Sequence, residues 1–559
     1  MIQELSAAGR HQKCLQACQN ALQDNPEETY AYKYAGKSLL ALRQFEKAQQ
    51  CLVKAHQLDG SDPEIVKDIG NIFNALQNDA EAKKLYKAAL SIDLNYAPAI
   101  NNLGLIAKRQ GDLVTAEQLV KKARDLDQSF APYHMNLGGI YKELGQLDQA
   151  LAATLKSLEL KPDNPDAHMN LGGIYRDLGQ LDQALAATLK CLELKPDNPD
   201  AHMNLGGIYR DLGQLDQALA ATLKSLELKP DNPTAHINLG LIYKELGQLD
   251  QALAFLTKAM KSEKTKEKAA VELAQAYYSV DNYLEGIKVI SGINSRKSGN
   301  LRLALYLSLD EKRKFNQYAD HLISKRWLNS QGIAAIDHAN VIYNQMIDNG
   351  LDGRNTIDSV FVEPINEQEF PDALIQEILI RLSSGSLQSR GQGLLVNGSQ
   401  TSGNILDIPE KPFQMLKELF AQKINDYNQE YNIIADKDFK LNLKKNMYIL
   451  RGWSITMDKG GSLKSHNHEL GWLTGTFYLQ MPEEGANPEE GAIEFSHQGP
   501  KYPEGASGFE KRVMLPTVRD LNIFPSSLFH RTLPFQSKTQ RICIAFDVTR
   551  NEELWEASN

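Results

Sequence analysis

The chain has 559 residues, 42% hydrophobic and 23% charged, the composition of a globular protein with room for several domains. Its net charge of −9 offers no bulk attraction to nucleic acid or to an anionic membrane, so neither partner is expected. No apolar run approaches the roughly 18 residues a membrane span needs, and the charged opening MIQELSAAGRHQKCLQACQNAL does not read as a secretory signal. Five scattered cysteines, Cys14, Cys18, Cys51, Cys191 and Cys543, predict free thiols in a reducing, cytoplasmic setting. Cys14 and Cys18 share a helix face, which ordinary packing explains. The NGS at 397–399 matches a glycosylation acceptor, but nothing routes the chain to secretion.

The first predicted elements are helices, and they repeat. Leu137, Leu171, Leu205 and Leu239 recur every 34 residues, as do Tyr141, Tyr175, Tyr209 and Tyr243, and Gly145, Gly179, Gly213 and Gly247. Ala150, Ala184, Ala218 and Ala252 keep the same spacing, and Pro162, Pro196 and Pro230 close the units. Small residues let two helices approach, large ones fill between them and proline stops the second. This pattern resembles the tetratricopeptide repeat, a helix–turn–helix unit that stacks into a superhelix. Counting in both directions gives seven full units, beginning at Thr29, Pro63, Ala97, Ala131, Pro165, Pro199 and Pro233. A lone helix is expected before them, and weaker helical units are expected to about residue 350.

The sixth position of successive units reads Asn102, Asn136, Asn170, Asn204 and Asn238. An asparagine amide both donates and accepts, so a row of them can pair with any extended backbone. The row resembles the asparagine ladder in the repeats of O-linked N-acetylglucosamine transferases, which implies a peptide or protein held along the inner helices. Recent duplication of near-identical units is the competing explanation. His134, His168, His202 and His236 fall in a slot that the family fills with a bulky packing residue, and they are expected to be structural.

Past about residue 355 the rhythm is lost. TIDSVFVEPI reads as a strand, PDALIQEILIRLSS as a helix, and PEKPFQMLKELFAQKINDYNQEYN as a second helix opened by prolines. Short strand candidates follow: NMYILRGWSIT, LTGTFYLQM, GAIEFSH, KRVMLPT, DLNIFPSS and QRICIAFDV. Gly- and Pro-bearing loops separate them, which predicts a sandwich or jelly roll. The expected organisation is multidomain: repeats over 1–266, a degenerate helical connector over 267–354, a β domain with a helical lead-in over 355–550 and a tail over 551–559.

Within the β region KSHNHELG places His466 and His468 one residue apart, just ahead of a strand candidate. His530 closes NIFPSSLFH and Arg541 opens the last strand. Residues i and i+2 of an extended segment face one side and can converge on one ion, and a third histidine from a neighbouring strand completes a ligand face with open positions. An always-charged arginine suits a carboxylate. The order HNHELGWLTGTFYL, EEGAIEF, LNIFPSSLFHRTLPF, RICIAFDV resembles the Fe(II)/2-oxoglutarate-dependent oxygenases, specifically a bacterial and phage group with a His-x-His motif. The resemblance covers roughly 355–550 and is sharpest over 464–548.

That resemblance implies a double-stranded β-helix (jelly-roll, cupin-like) domain. It also implies Fe(II), 2-oxoglutarate and O2, with ascorbate as a reductant, and an unactivated C–H bond as the point of attack. His466 and His530 are the implied iron ligands, and Arg541 the implied anchor of the cosubstrate's distal carboxylate. The usual triad has a carboxylate where His468 stands, and three readings are open. His468 ligates, Glu469 swings in, or two histidines suffice with water. Trp453, Trp472, Phe477 and Tyr478 are candidate pocket walls as well as candidate core. The loops 483–491 and 497–512 are candidate substrate rims, and His497 reads as packed or solvated. Competing readings are an interaction scaffold with an inactive β module, and a three-histidine dioxygenase that needs no 2-oxoglutarate and hence no Arg541.

Overall fold

In the computed structural model the helices of the array begin where the period places them, at Thr29, Pro63, Ala97, Ala131, Pro165, Pro199 and Pro233. The structure describes residues 1–349, 355–385, 387, 389–390, 393–401, 403–434, 441, 448–469, 471–483, 488–505 and 508–550. The expected tail 551–559 lies outside them. Each unit carries its own punctuation. Proline at the first helical position gives up only an N–H that would have no partner there. Asn198 and Asn232 cap their helices by accepting from N–H groups two and three residues on. In the four units from Ala131 onward the turn passes through a left-handed residue, Gly145, Gly179, Gly213 and Gly247, with φ between +70° and +75°. Two helices, Ile2–Ala7 and His11–Asp24, precede the array rather than one. Beyond it Lys266–Ser279, Tyr283–Ile290, Arg296–Ser308, Lys312–Ser324 and Ser330–Ile342 continue as helices.

The chain divides into two compact units, Met1–Ile174 and Tyr175–Asn559. The division falls within the helix Pro165–Asp177, whereas the repeat period fades near residue 355. In the first unit the core is built from small and aliphatic residues of paired helices, such as Ala48, Leu52, Ile65 and Ile72. The second unit contains the last repeats, the connecting helices and a curled antiparallel sheet of the jelly-roll kind.

Ten strands form that sheet among the described residues: β1 (Phe361–Pro364), β2 (Ser389–Arg390), β3 (Leu395–Thr401), β4 (Tyr448–His466), β5 (Gly471–Gln480), β6 (Ile493–Ser496), β7 (Lys511–Met514), β8 (Asp520–Pro525), β9 (Phe529–Thr532) and β10 (Arg541–Arg550). The order is β1-β8-β5-β10-β4-β9-β6-β7, with β3 also paired to β4 and β2 to β3. Thr356–Ser359 is a short 3-10 helix, so the expected strand TIDSVFVEPI shortens to β1. β4 is far longer than its apolar segment. It pairs with β10 over 448–457, then turns and pairs with β9 at Leu463 and His466. Gly460, at φ +76°, makes that turn, and its N–H donates to Phe535 O at 2.7 Å.

Alternation along β10 sorts its two faces. Ile542, Ile544, Phe546 and Val548 join Phe420, Phe477 and Leu473 in a core against the helices Asp372–Ser383 and Lys411–Tyr431. The opposite face presents Arg541, Cys543, Ala545 and Asp547, and β5 likewise presents Thr474, Thr476 and Tyr478 beside them. No helix of the described residues is long and apolar enough to cross a membrane. All five cysteines are free.

Candidate metal centre

β4 ends on His466 and β9 carries His530, and the strand register sets these two directly opposite each other, with ring centroids 4.4 Å apart. His468 lies two residues past the end of β4, in the turn into β5, where its N–H donates to Ser526 O at 3.0 Å. Its ring comes within 5.1 Å of His466 and 5.2 Å of His530. One ring nitrogen from each of the three lies within 4.8 Å of the other two.

The tautomers follow from the partners. His466 Nδ1 sits 2.8 Å from Lys464 O and His530 Nδ1 3.2 Å from Leu528 O. A carbonyl only accepts, so both Nδ1 atoms carry the proton and both Nε2 atoms carry a lone pair. His468 Nδ1 lies 2.7 and 2.8 Å from the two oxygens of Asp547, which leaves its Nε2 facing His466 Nε2 at 3.3 Å. With each Nδ1 turned to an oxygen, the three Nε2 atoms converge on one point, and a cation there would meet all three at once. The donor set therefore fits a borderline divalent metal such as Fe(II).

Burial lowers the basicity of His466 to about 4, with His468 adding to the effect, and puts His530 well below the ordinary histidine range. Both rings are thus neutral near pH 7 and ligation displaces no proton. Depressed histidine pKa values also fix a sign. Between pH 6.5 and about 4 the unfolded chain binds more protons than the folded one, so folding stability falls as the pH falls. The metal-free protein is expected to melt at a lower temperature at pH 5 than at pH 7, read by thermal unfolding with the His466→Ala variant showing a shallower dependence. Equal slopes in both proteins would contradict the assignment of buried neutral rings.

Arg541 is 2% exposed. It lies 4.9 Å over the Tyr478 ring, Nε donates to Gly491 O at 3.3 Å and Nη1 approaches Cys543 Sγ at 3.6 Å. It forms no ion pair among the described residues. A buried guanidinium without a counter-charge is costly, and it suits an anion that arrives later. Tyr478 Oη accepts from Asn522 Nδ2 at 3.2 Å, and Asn522 Oδ1 is buried without a partner among the described residues.

Glu469 points elsewhere. Its carboxylate accepts from Gln331 Nε2 at 3.2 Å, and burial raises its pKa. Of the four aromatic candidates, Tyr478 lies under Arg541, and Trp453 stacks on His468 at 6.0 Å. Phe477 belongs to the helix-covered core on the opposite face. Alternation takes Phe477 away from the histidines; Trp472 has the parity of Thr474, but it sits at the irregularity in the β5–β10 register between Leu473 and Gly471 and packs with the helix-covered core, between Arg296 and Arg550.

The helix Ser330–Ile342 supports the centre from behind, which no motif foretold. Ser330 Oγ donates to Gly471 O, Gln331 holds Glu469, and His338 donates from Nε2 to Pro503 O while its Nδ1 accepts from the Gly499 N–H. The rim segment 497–503 is thereby tied down; 484–487 and 506–507 lie outside the described residues. His497 is packed, its Nε2 2.8 Å from Thr356 Oγ1.

In the repeats, His134, His168 and His202 each bring Nε2 within 2.9 Å of a carbonyl six residues earlier, those of Gln128, Pro162 and Pro196, while His236 packs beside Phe255. The asparagine row is not uniform. Asn102 donates to Asn71 at 2.9 Å and Asn136 to Asn101 at 2.9 Å. Asn170, Asn204 and Asn238 are half-buried and make no side-chain hydrogen bond among the described residues.

Comparisons with known proteins follow the same partition. Residues 451–547 match a family model described as "Putative 2OG-Fe(II) oxygenase". Residues 138–175, 172–209 and 206–247 match a TPR repeat model, and 233–266 a second tetratricopeptide repeat model. No curated protein matches significantly. Among solved structures, the APC/C hetero-tetramer Cut9-Hcn1 is 18% identical with a TM-score of 0.44, over 49% of this chain and 54% of that one, about half its length. The pilF protein of Pseudomonas aeruginosa is 21% identical with a TM-score of 0.34, over 39% of this chain and 96% of that one. A tetratricopeptide repeat protein of Parabacteroides merdae is 15% identical with a TM-score of 0.37, over 44% and 98%. The chain thus carries tetratricopeptide repeats and, C-terminal to them, a domain matching that oxygenase family.

Proposed function

We propose that the protein is a cytoplasmic Fe(II)- and 2-oxoglutarate-dependent oxygenase of the hydroxylase type, whose repeats hold a peptide or protein substrate or partner. The observation that carries this reading is the convergence of three imidazole lone pairs, with each opposite nitrogen tied to an acceptor. His466, His468 and His530 would hold the metal. When bound, Fe(II) with 2-oxoglutarate and O2 supplies the oxidation of a C–H bond to an alcohol, the cosubstrate leaving as succinate and carbon dioxide, with ascorbate as an auxiliary reductant. The chain's own part is to present three imidazole ligands on one face and to keep Arg541, which has no ion pair among the described residues, buried for a carboxylate. Trp453 and Tyr478 form apolar walls on that side of the sheet.

The repeats supply recognition. Asn170, Asn204 and Asn238 leave their amides available to an extended backbone, and Asn102 and Asn136 retain spare capacity, since each amide has more than one donor and acceptor site. Free cysteines throughout suit a reducing compartment.

The test is an anaerobic titration of the full chain with Fe(II) and then 2-oxoglutarate, followed by visible absorption. A metal-to-cosubstrate charge-transfer band is expected in the wild type, absent in His466→Ala and weakened in Arg541→Ala. Iron retained with no response to 2-oxoglutarate would move the reading to a cosubstrate-independent dioxygenase. A folded protein that retains no iron would leave an interaction scaffold.

A further inference from the structure

Where an oxygenase triad has two histidines and a carboxylate, this centre has three histidines, which removes a negative charge from the ligand set. The structure places a carboxylate one residue further back. Asp547 lies on the face of β10 that looks toward the histidines, and both its oxygens are within 2.8 Å of His468 Nδ1. Its side chain is held from the other side as well. Thr474 Oγ1, directly across the β5–β10 register, donates to Asp547 Oδ1 at 2.7 Å and also lies 2.7 Å from Ser526 Oγ. Ser526 in turn accepts the backbone N–H of His468 and donates its own N–H to Trp472 O. Gly471 makes this closure possible, because a Cβ there would press on Ser526 Oγ and Cβ. His468 is therefore gripped at its backbone and at its ring by one connected set: Ser526, Thr474 and Asp547.

We infer that Asp547 is the positioning residue of the centre: it fixes the ring of His468 with Nε2 toward the metal, and returns through that ring the negative charge that the missing ligand carboxylate would have supplied. The inference rests on the metal-centre reading above. A carboxylate that accepts from the far nitrogen of a ligating histidine raises the basicity of the ligand and fixes its orientation, and losing such a partner typically costs about 10–100-fold in metal affinity. His466 and His530 have only backbone carbonyls in that role, so the charge enters through His468 alone. Asp547 forms no ion pair with a lysine or arginine among the described residues, which leaves its charge to act on His468.

The experiment measures Co(II) binding to the full-length protein, followed by its visible d–d spectrum and by calorimetry, in the wild type and in Asp547→Asn, Asp547→Ala and Thr474→Val. Asp547→Asn keeps the shape and one acceptor oxygen for His468 Nδ1 and Thr474 Oγ1, while it removes the charge and turns the second oxygen into an NH2 donor. It is expected to weaken Co(II) binding by about tenfold or more, with the metal-free melting temperature nearly unchanged. Asp547→Ala should be weaker again and should alter the band pattern, because the ring is then free to turn. Asp547→Asn bound as tightly as wild type, with the same spectrum, would overturn the inference and leave Asp547 a structural partner of Thr474. Should Asp547→Asn fail to fold, Thr474→Val decides: unchanged affinity there overturns the inference, a several-fold loss supports it. A folded wild type that binds no Co(II) would instead bring down the metal-centre reading itself, an outcome visible before any variant is made.

Discussion

His530→Ala is expected to abolish stable metal binding, the largest single effect any substitution in this chain should have on it. The residue is 6% exposed, enclosed by Phe524 at 4.9 Å and Phe495 at 6.3 Å between ring centroids, and its ring stands against both other histidines. No other described histidine, cysteine or carboxylate joins the three within ligand distance, so nothing replaces it. Removing a direct ligand should cost more than the about 10–100-fold attributed to a partner behind one. The variant should still fold, because the surrounding cluster of Ile357, Val360, Ile493, Phe495, Phe524 and Leu528 does not depend on the imidazole. Removing a buried ring that must stay neutral should also blunt the acid sensitivity of the metal-free protein. Equilibrium dialysis against Fe(II) or Mn(II) under anaerobic conditions, with metal analysis of the retained protein, reads the effect. Retention at wild-type affinity would show that the ion, if one binds, is held elsewhere.

The histidines were legible because their signal is local: a one-residue spacing, a third histidine at the end of a Phe-Pro-Ser segment and an arginine eleven residues on. The helical array was legible for a related reason. Every unit after the first opens on a proline at its first or second helical position, the last five turn on a glycine, and the period repeats those marks. What escaped has physical causes that lie outside any single segment. Asp547 lies in the RICIAFDV segment beside Arg541, but nothing local marks it as a partner of His468; that role arises from strand register, which sets it beside Thr474, and from the turn that brings His468 back over β10. β9 is four residues between a leucine turn and a proline-bearing loop, too short to show alternation, yet it is the strand that carries His530. The extension of β4 through Gly460 and Gly461 reads locally as a loop and becomes a strand only because β3 and β9 pair with it. The helix Ser330–Ile342 looked like fading repeat, and its Ser330, Gln331 and His338 acquire meaning only when the sheet packs against them.

Arg541 is expected to show opposite signs in stability and in cosubstrate binding. Arg541→Met keeps the length and apolar stem of the side chain while removing a buried charge that has no counter-ion among the described residues. Replacing buried ionic groups by apolar ones of similar volume is often neutral or stabilising by about 1–4 kcal/mol. Part of that gain is offset here, since the guanidinium over Tyr478 contributes on the order of 1–2 kcal/mol as a cation–π contact. The metal-free Arg541→Met protein should therefore melt at or above the wild-type temperature. Binding of 2-oxoglutarate to the metal-loaded protein should fall in the same variant. A charge-assisted hydrogen bond contributes roughly 1.5–3 kcal/mol, or about 10- to 150-fold in affinity. Arg541→Lys should lie between the two, because an ammonium keeps the charge and loses the planar fork that meets a carboxylate with two bonds. Calorimetric titration of 2-oxoglutarate into Mn(II)-loaded protein, beside thermal unfolding of the metal-free forms, reads both effects in one set of variants. A variant that melts far below wild type would make Arg541 a structural cation stabilised by Gly491 O and Tyr478. One that melts normally and binds 2-oxoglutarate unchanged would place the cosubstrate's carboxylate somewhere else. Only the crossed result, stability kept and cosubstrate lost, is what a buried cation waiting for its anion predicts.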